Sequence, residues 1–253
     1  MQAFHTALQT ARLRVLALAV TLVALAVLAA GAGAADAARS CSQDKILIPY
    51  GSTANGSETQ GYCIRAATDP IGQSRVDSRY SEIASAIIKR YAELKGVKAT
   101  DALVICWNQR DWNALSKTHA NQFGDGLSNI AGYVMMPWNV INLSPKTCRE
   151  LDRIVYQGGK ASIAKSSWEI STLAHEALHV AGVSNEATTE CYAMQLTTDA
   201  AQLLGESKAF GASVARDLYG NYPGLKTSDP AYYTSKCKNG TPLDLRPGQV
   251  LFP

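Results

Sequence analysis

The sequence predicts an α+β fold with a small sheet. Short apolar runs with the length of strands occur at 102–107, 129–136 and 140–143. Segments with apolar residues at helical spacing precede and follow them, at 75–95 and from residue 167 onward. A helix, then strands, then further helices is an order typical of α+β domains. We therefore expect one domain over residues 74–220, which is long enough to bury a core.

The predicted elements of this domain follow from local signals. The helix at 75–95 should end at Gly96, because glycine tolerates the left-handed conformation of a helix C-terminus. Residues 137–139, Pro-Trp-Asn, suit a turn between the second and third strands. A short helix is expected at 147–157, with Pro145 at its start.

Two segments outside this domain are expected to lack regular structure. Residues 39–73 include the run Gly-Ser-Thr-Ala-Asn-Gly-Ser at 51–57 and are predicted to be loop-rich. The second segment, residues 221–253, follows a helix that is expected near 206–219. It contains several of the chain's 9 prolines and is predicted to form an irregular C-terminal tail.

Residues 1–38 are predicted to be a cleaved signal peptide. Arg12 and Arg14 precede an apolar run at 15–30, and the small residues 31–35 follow it. The run is nearly long enough to span a bilayer, so an uncleaved anchor is the alternative, but the small-residue exit favours cleavage. We expect a protein secreted or exported to the cell envelope, with no stable membrane association after cleavage.

The 6 cysteines all follow this segment. An even count in an exported chain indicates disulfides, and pairing by proximity predicts Cys41–Cys63, Cys106–Cys148 and Cys191–Cys237. A metal-binding cysteine cluster is disfavoured because no two cysteines have the C-x-x-C spacing. The net charge of +3 is small and no basic run occurs, which argues against a nucleic-acid or anionic-membrane partner.

The motif His175-Glu176-Ala177-Leu178-His179 predicts a zinc site. Positions i and i+4 share a helix face, so both imidazoles can bind one ion. Glu176 lies beside that ion, where a carboxylate can deprotonate a zinc-bound water. A chance match on a structural helix is the alternative, but this motif holds two of the chain's 4 histidines.

The helix that carries the motif is bounded by recognisable signals. Ser166 and Glu169 form an S-x-x-E capping box, which predicts a helix start near Ser167. Gly182 should end this helix. A second helix should begin at Ser184 or Asn185 and continue to about Leu204.

Two carboxylates on the second helix complete the predicted site. Glu186 lies in its first turn, directly after the turn at Gly182, and can fold back as the third protein ligand. Glu190 is one helical turn further along, where it can accept a hydrogen bond from a ligating histidine. An ordinary solvated role is the alternative for Glu190.

H-E-x-x-H followed by E-x-x-x-[DE] on the next helix resembles the gluzincin zinc metallopeptidases, which comprise the thermolysin-like enzymes and their smaller relatives. We therefore expect a small secreted bacterial member with a zincin-like fold. The resemblance implies that His175, His179 and Glu186 bind Zn²⁺. It also implies that Glu176 is the general base and that Glu190 supports the first histidine.

The sequence departs from the usual pattern of that group at several positions. Glu190 stands where Asp is usual and Thr189 where Ala is usual, and the connection between the two motifs is shorter. The run at 186–193 nevertheless resembles the E-x-x-A-D-C-x-A stretch of some bacterial neutral zinc peptidases. A metzincin-like spacing would place the third ligand at Asn185, but asparagine is a poor zinc ligand, so Glu186 is preferred.

The predicted activity is hydrolysis of peptide bonds in peptide or protein substrates, by an endopeptidase rather than an exopeptidase. Glu176 would take a proton from the attacking water and deliver it to the leaving amine. In the gluzincin folds that this sequence resembles, an edge strand upstream of the metal helix holds the substrate backbone. Here Gly132 to Met135 are the candidates, although a plain core strand fits them equally.

A further hydrogen-bond donor is expected at the oxyanion, and packing is the alternative role for every candidate. The candidates are Tyr192, Tyr219, Tyr222, Tyr232, Tyr233 and His119.

Two other classes of function fit the sequence. One is a non-catalytic module that zinc stabilises, and the other is a disulfide-stapled binding domain without metal.

Overall fold

A computed structural model describes residues 45–52, 59–66, 73–118, 127, 129–136, 138–155 and 162–249. The chain divides into two units, 1–65 and 66–253, which are described separately. The predicted signal peptide, residues 1–38, lies outside the described residues.

Strands β1 (Lys45–Ser52) and β2 (Thr59–Ala66) pair as an antiparallel hairpin. The register shifts between Pro49 and Gly51, which is consistent with a proline that cannot donate to the ladder. The prediction that residues 39–73 are loop-rich is therefore wrong for these two strands. Their β-branched and aromatic residues outweigh the Gly/Ser-rich run between them.

Among the described residues of the second unit, four strands form a mixed sheet. Its strands are β3 (Arg75–Val76), β4 (Leu103–Cys106), β5 (Gly132–Met135) and β6 (Val140–Leu143), in the order β3-β4-β6-β5. β4 and β6 are parallel, whereas β3 and β5 are antiparallel to their neighbours. All three predicted strands are confirmed, and β5 lies at the end of the order.

Six helices accompany this sheet in the described part of the chain. They are α1 (Ser78–Lys95), α2 (Gln109–Thr118), α3 (Pro145–Val155), α4 (Ile163–Val180), α5 (Glu186–Leu203) and α6 (Lys208–Ser228). A short 3₁₀ turn, Pro230–Tyr232, follows α6. The predicted α+β class is confirmed.

Helix α4 packs against α1, α3, α5 and α6 and against strands β5 and β6. Its apolar residues join those of α1 and the sheet in one buried core. Members of this core are Ile83, Ile87, Ile88, Val104, Ile141, Leu143, Ile170, Leu173 and Leu178. The two metal-motif histidines therefore lie on a helix that is fixed on several sides.

The predicted ends of the first helix are correct at one side only. Gly96 has φ 67° and ends α1, as predicted. The helix begins at Ser78 rather than at residue 75, because Arg75 and Val76 pair with β4 as strand β3. Asp77 caps α1 by accepting a hydrogen bond from the backbone N–H of Tyr80 at 3.0 Å.

The predicted start of α4 is wrong. The helix begins at Ile163, before the proposed capping box, and Ser166 is fully buried inside it. The Ser167 hydroxyl donates to the backbone carbonyl of Ile163 at 2.9 Å. Glu169 pairs with Lys146 at 3.0 Å and caps no helix end. Of the two groups that the local pattern assigned to a cap, Glu169 thus has a tertiary partner, whereas the buried Ser166 hydroxyl has no hydrogen-bond partner among the described residues.

The predicted end of the last helix is also wrong. Helix α6 continues to Ser228, so the first residues of the segment 221–253 are helical despite Pro223. Tyr222 is buried in the core, and its hydroxyl accepts a hydrogen bond from the backbone N–H of Thr234 at 2.8 Å. Packing therefore outweighs the low helix propensity of this stretch.

Two of the predicted disulfides are confirmed. Cys106–Cys148 joins β4 to α3, and Cys191–Cys237 joins α5 to the C-terminal segment. The third predicted pair includes Cys41, which lies outside the described residues. Disulfides indicate an oxidising compartment. None of the helices in the described part of the chain is long and apolar enough to cross a membrane.

The C-terminal segment is docked on α5 by side-chain hydrogen bonds. The Gln195 side chain donates to the carbonyl of Leu243 at 2.8 Å and accepts from the N–H of Leu245 at 2.7 Å. Arg246 forms an ion pair with Asp199 on the same helix. This docking fixes the segment that follows the 3₁₀ turn.

Candidate metal centre

The turn between α4 and α5 brings the two motifs together. Gly182 adopts φ 91°, a conformation that favours glycine, and the chain reverses directly after α4. Asn185 then caps α5, because its side chain accepts from the backbone N–H of Thr188 at 3.0 Å. Both predictions, the end at Gly182 and the start at Asn185, are confirmed. Glu186 is consequently the first residue of α5 and faces back toward α4.

Three side-chain atoms converge at this turn. Nε2 of His175 lies 3.0 Å from Nε2 of His179, and Oε2 of Glu186 lies 3.0 Å and 3.3 Å from these two atoms. The corners of a tetrahedron with zinc–ligand bonds of 2.0–2.1 Å are separated by about 3.3 Å. This His175–His179–Glu186 group can therefore hold a metal ion.

The far nitrogen of each imidazole has its own acceptor. Nδ1 of His175 lies 2.9 Å from Oε2 of Glu190, and Nδ1 of His179 lies 2.7 Å from the backbone carbonyl of Val183. With both Nδ1 atoms donating, neutral rings present Nε2 lone pairs to one another and to Glu186. Three facing acceptors repel each other unless a proton or a cation lies between them. The donor set therefore fits a metal ion.

The Val183 carbonyl is the part of this arrangement that the sequence reasoning missed. Its position depends on Gly182, because the glycine turn directs the next carbonyl back toward His179. The Thr189 hydroxyl lies 3.2 Å from the same carbonyl oxygen and donates to it. A glycine directly after a motif helix was a signal for the turn but gave no direct signal for this contact.

Electrostatics in the metal-free protein favour protonated histidines. Burial lowers the pKa of His175, but hydrogen bonds to Glu186 and Glu190 outweigh burial and raise it to about 10. The pKa of His179 is also raised, because the hydrogen bond to Glu186 outweighs burial. Hydrogen bonds from both histidines lower the pKa of Glu186 to about 2.

These shifts predict that metal binding releases protons even at pH values well above the ordinary pKa of histidine. With a pKa of about 10, His175 is protonated at neutral pH, whereas an imidazole ligand must be neutral. A metal ion must therefore displace about one proton even at pH 8, and metal affinity should rise with pH throughout the range 6.5–10. Calorimetric zinc titrations in two buffers with different ionisation enthalpies measure this release. A buffer-independent enthalpy at pH 8 would contradict the prediction.

The contact between Glu190 and His175 predicts a weaker metal site when the carboxylate is removed. We expect Glu190→Gln to lower zinc affinity by roughly 10–100-fold, because the imidazole loses the partner that fixes its tautomer and raises its basicity. Competition with a fluorescent chelator measures the affinity. Glu206→Gln, on the loop after α5, is the control and should bind zinc as the wild type does. Equal affinities in all three proteins would show that Glu190 has no role at the metal.

Glu176 makes no hydrogen bond to the histidines, and its Oε2 atom is buried without a hydrogen-bond partner among the described residues. Glu190 also has a buried oxygen without a partner, but its other oxygen is bonded to His175. Burial raises its pKa, although His175 and His179 act in the opposite direction. Strand β5 passes close to it: a Cβ atom on Gly132 would lie 3.0 Å from Cγ of Glu176. Glycine at position 132 thus permits the close approach of the strand to this carboxylate.

An open cleft of about 590 Å³ adjoins the three converging atoms. Its walls are the metal motif of α4, strand β5, the turn at Gly182 and Tyr232. The ring centroids of Tyr232 and His175 are 5.6 Å apart. Burial and the nearby carboxylates of Glu186 and Glu176 raise the pKa of Tyr232, so its hydroxyl keeps its proton.

The other tyrosines predicted as oxyanion donors do not line this cleft. Tyr192 packs against Tyr91, and Tyr222 packs against Tyr233. Tyr219 is buried in the core. His119 lies outside the described residues. Of the tyrosines proposed from the sequence, Tyr232 is therefore the one that the structure places beside the metal motif.

Comparisons with protein-family models, with curated proteins and with solved structures found no match to this chain.

Proposed function

We propose that the protein is an exported zinc metallopeptidase that hydrolyses internal peptide bonds of peptide or protein substrates. One observation carries this proposal: the three converging donor atoms lie beside a buried, unpaired carboxylate on the wall of an open cleft. A purely structural metal site has no use for that carboxylate and is usually closed by four protein ligands.

The donor set supports zinc as the metal. Two imidazoles and one carboxylate, from His175, His179 and Glu186, are the ligand types and the number that catalytic zinc sites use. When bound, zinc would supply a Lewis acid that acidifies water and polarises a carbonyl group. The resemblance of the two motifs to those of the gluzincins agrees with this assignment.

Glu176 is the general base in this proposal. Its unpaired Oε2 atom can accept the proton of the attacking water and deliver it to the leaving amine. Burial raises its pKa, which makes the protonated form accessible for the second of these transfers. The close approach of Gly132 limits where this side chain can move.

Tyr232 is the proposed donor to the oxyanion. Its ring lies against His175 at the cleft, and its raised pKa keeps the phenol protonated near neutral pH. A donor aimed at developing negative charge stabilises the transition state more than the ground state.

Removal of this hydroxyl should therefore slow the chemical step. We expect Tyr232→Phe to lower kcat by roughly 10²-fold with little change in zinc content, since one oxyanion donor contributes about 10²–10³. Steady-state kinetics on a fluorogenic peptide measures the change. Tyr91→Phe, on helix α1, is the control, because Tyr91 packs against Tyr192 and does not line the cleft. An unchanged kcat in Tyr232→Phe would assign the oxyanion to another group.

Strand β5 is the proposed platform for the substrate backbone. It lies at the end of the strand order and lines the cleft beside Glu176. An extended peptide that adds to such a strand is recognised mainly through main-chain hydrogen bonds, which suits cleavage within chains of varied sequence.

Chelation and reconstitution test the proposed function. The purified protein should cleave an unstructured protein substrate, lose this activity after exhaustive chelation and regain it with one equivalent of zinc. If zinc binds and stabilises the protein but no substrate is cleaved, the ion has a structural role. If the metal neither binds nor affects stability, the chain is a disulfide-stapled binding domain.

A further inference from the structure

A second cavity lies on the same face of α4 as the metal motif. Its volume is about 670 Å³, within the range of pockets that bind small ligands. The N-terminal half of α4 forms one wall, and α2, residues 129–131 and the start of α3 form the others. The proposed catalytic residues do not line this cavity.

The helix sets the distance between this cavity and the metal motif. Trp168 and Thr172 line the cavity, and they precede His175 by seven and three residues. Spacings of three and four residues place all three on one face of α4. Seven residues of helix span roughly 10 Å, so Trp168 is about that far from the reacting centre along the groove.

The segment before β5 connects the two spaces. Ile130 lines both of them, residues 129–131 line the second cavity, and Gly132 to Val134 line the metal cleft. A peptide laid along β5 advances about 3.3 Å per residue. It therefore reaches the level of Trp168 after about three residues.

The lining of the cavity is suited to an aromatic group. Trp168 lines the cavity and is 39% exposed, so part of its indole ring is accessible to a ligand. The neighbouring carboxylate of Glu169 is already paired with Lys146 at 3.0 Å. Amide and hydroxyl groups of Gln109, Asn113 and Ser116 complete the walls. The lining also includes Lys117 and Lys146, and its one carboxylate is paired. An indole face in these surroundings favours ring stacking over binding of a cation.

We propose that this cavity binds an aromatic side chain of the substrate, about three to four residues from the scissile bond on one side. The inference depends on the proposed peptidase function and adds a determinant of specificity to it. Trp168 provides the stacking surface, and β5 sets the distance between the aromatic residue and the bond that is cleaved.

A peptide series tests the proposal. Each internally quenched peptide contains one phenylalanine in an otherwise alanine- and serine-based sequence, at a position up to five residues before or after a single cleavable bond. The zinc-loaded wild type should show a maximum of kcat/KM at three to four residues on one side. At that position phenylalanine should exceed alanine by about five- to tenfold, the size of an aromatic stacking contact.

Substitution of the indole identifies its contribution. Trp168→Ala should reduce the phenylalanine-to-alanine ratio at that position to about one, and Trp168→Phe should restore most of it. Trp138→Ala is the matched control: Trp138 is 42% exposed, lies in the turn after β5 and does not line the cavity. This control should keep the wild-type ratio. Because each ratio is measured within one protein, a change in overall activity or folding does not affect it.

Two results would overturn the inference while leaving the peptidase function intact. One is cleavage of the series without a maximum three to four residues away, and the other is a maximum that Trp168→Ala leaves unchanged. Failure of the zinc-loaded protein to cleave any peptide or unstructured protein contradicts the proposed function itself.

Discussion

Glu176→Gln is expected to abolish most peptide hydrolysis while zinc binding is retained. The substitution keeps the size and the burial of the side chain but removes its ability to accept a proton. General acid–base catalysis contributes about 10²–10⁴-fold, so kcat should fall by that factor. The loss should be visible with any substrate that the wild type cleaves.

A zinc measurement on the same preparations and a matched control variant make this result specific. Zinc content by mass spectrometry should be one ion per chain in the wild type and in Glu176→Gln. Glu82→Gln is the matched control, because Glu82 lies on the solvent side of α1 with a side chain that is 72% exposed. If Glu176→Gln bound zinc and retained wild-type turnover, Glu176 would not be the base.

His179→Ala is expected to weaken metal binding more than Glu190→Gln does. It removes one of three ligands and leaves Glu186 facing a single imidazole. The affinity for zinc should fall by more than the roughly 10–100-fold that the loss of an outer partner causes. Activity at stoichiometric zinc should fall to background.

Thermal unfolding measures the same loss independently of activity. Zinc at roughly 1,000 times its Kd should raise the free energy of unfolding of the wild type by about 4 kcal/mol. Because its affinity should fall by more than about 100-fold, His179→Ala should gain less than about 1.4 kcal/mol at the same zinc concentration. Gln202→Ala, an exposed position near the end of α5, should respond to zinc as the wild type does. A wild-type response in His179→Ala would place the ion elsewhere.

Those parts of the site that depend on local geometry could be predicted from the sequence. The spacing of His175 and His179 places both on one helix face whatever surrounds the helix. Gly182 and Asn185 are short-range signals, and together they bring Glu186 next to the histidines. The positions of these residues relative to one another therefore needed no knowledge of the whole fold.

Contacts that depend on the tertiary structure could not be predicted in the same way. Tyr232 reaches the cleft only because α6 continues past Pro223 and a 3₁₀ turn follows it. Local sequence patterns therefore gave no reason to choose it among the six candidates. The capping-box prediction at Ser166 was wrong because Ser166 is buried inside α4, although its local sequence resembles that of a helix cap.

The errors in strand prediction have a related origin. Strands β1 and β2 were not predicted, because the Gly/Ser-rich run between their apolar residues favours a loop. Strand β3 has only two residues and is defined by its pairing with β4. Short strands of this kind depend on their neighbours more than on their own propensity.

Zinc-edge anomalous diffraction from crystals of the zinc-loaded protein would locate the ion and its ligands. We expect one strong peak per chain, about 2.0–2.2 Å from Nε2 of His175, Nε2 of His179 and a carboxylate oxygen of Glu186, with Glu176 uncoordinated beside it. A peak at other residues, or one bound by four protein ligands that include Glu176, would contradict a catalytic zinc site.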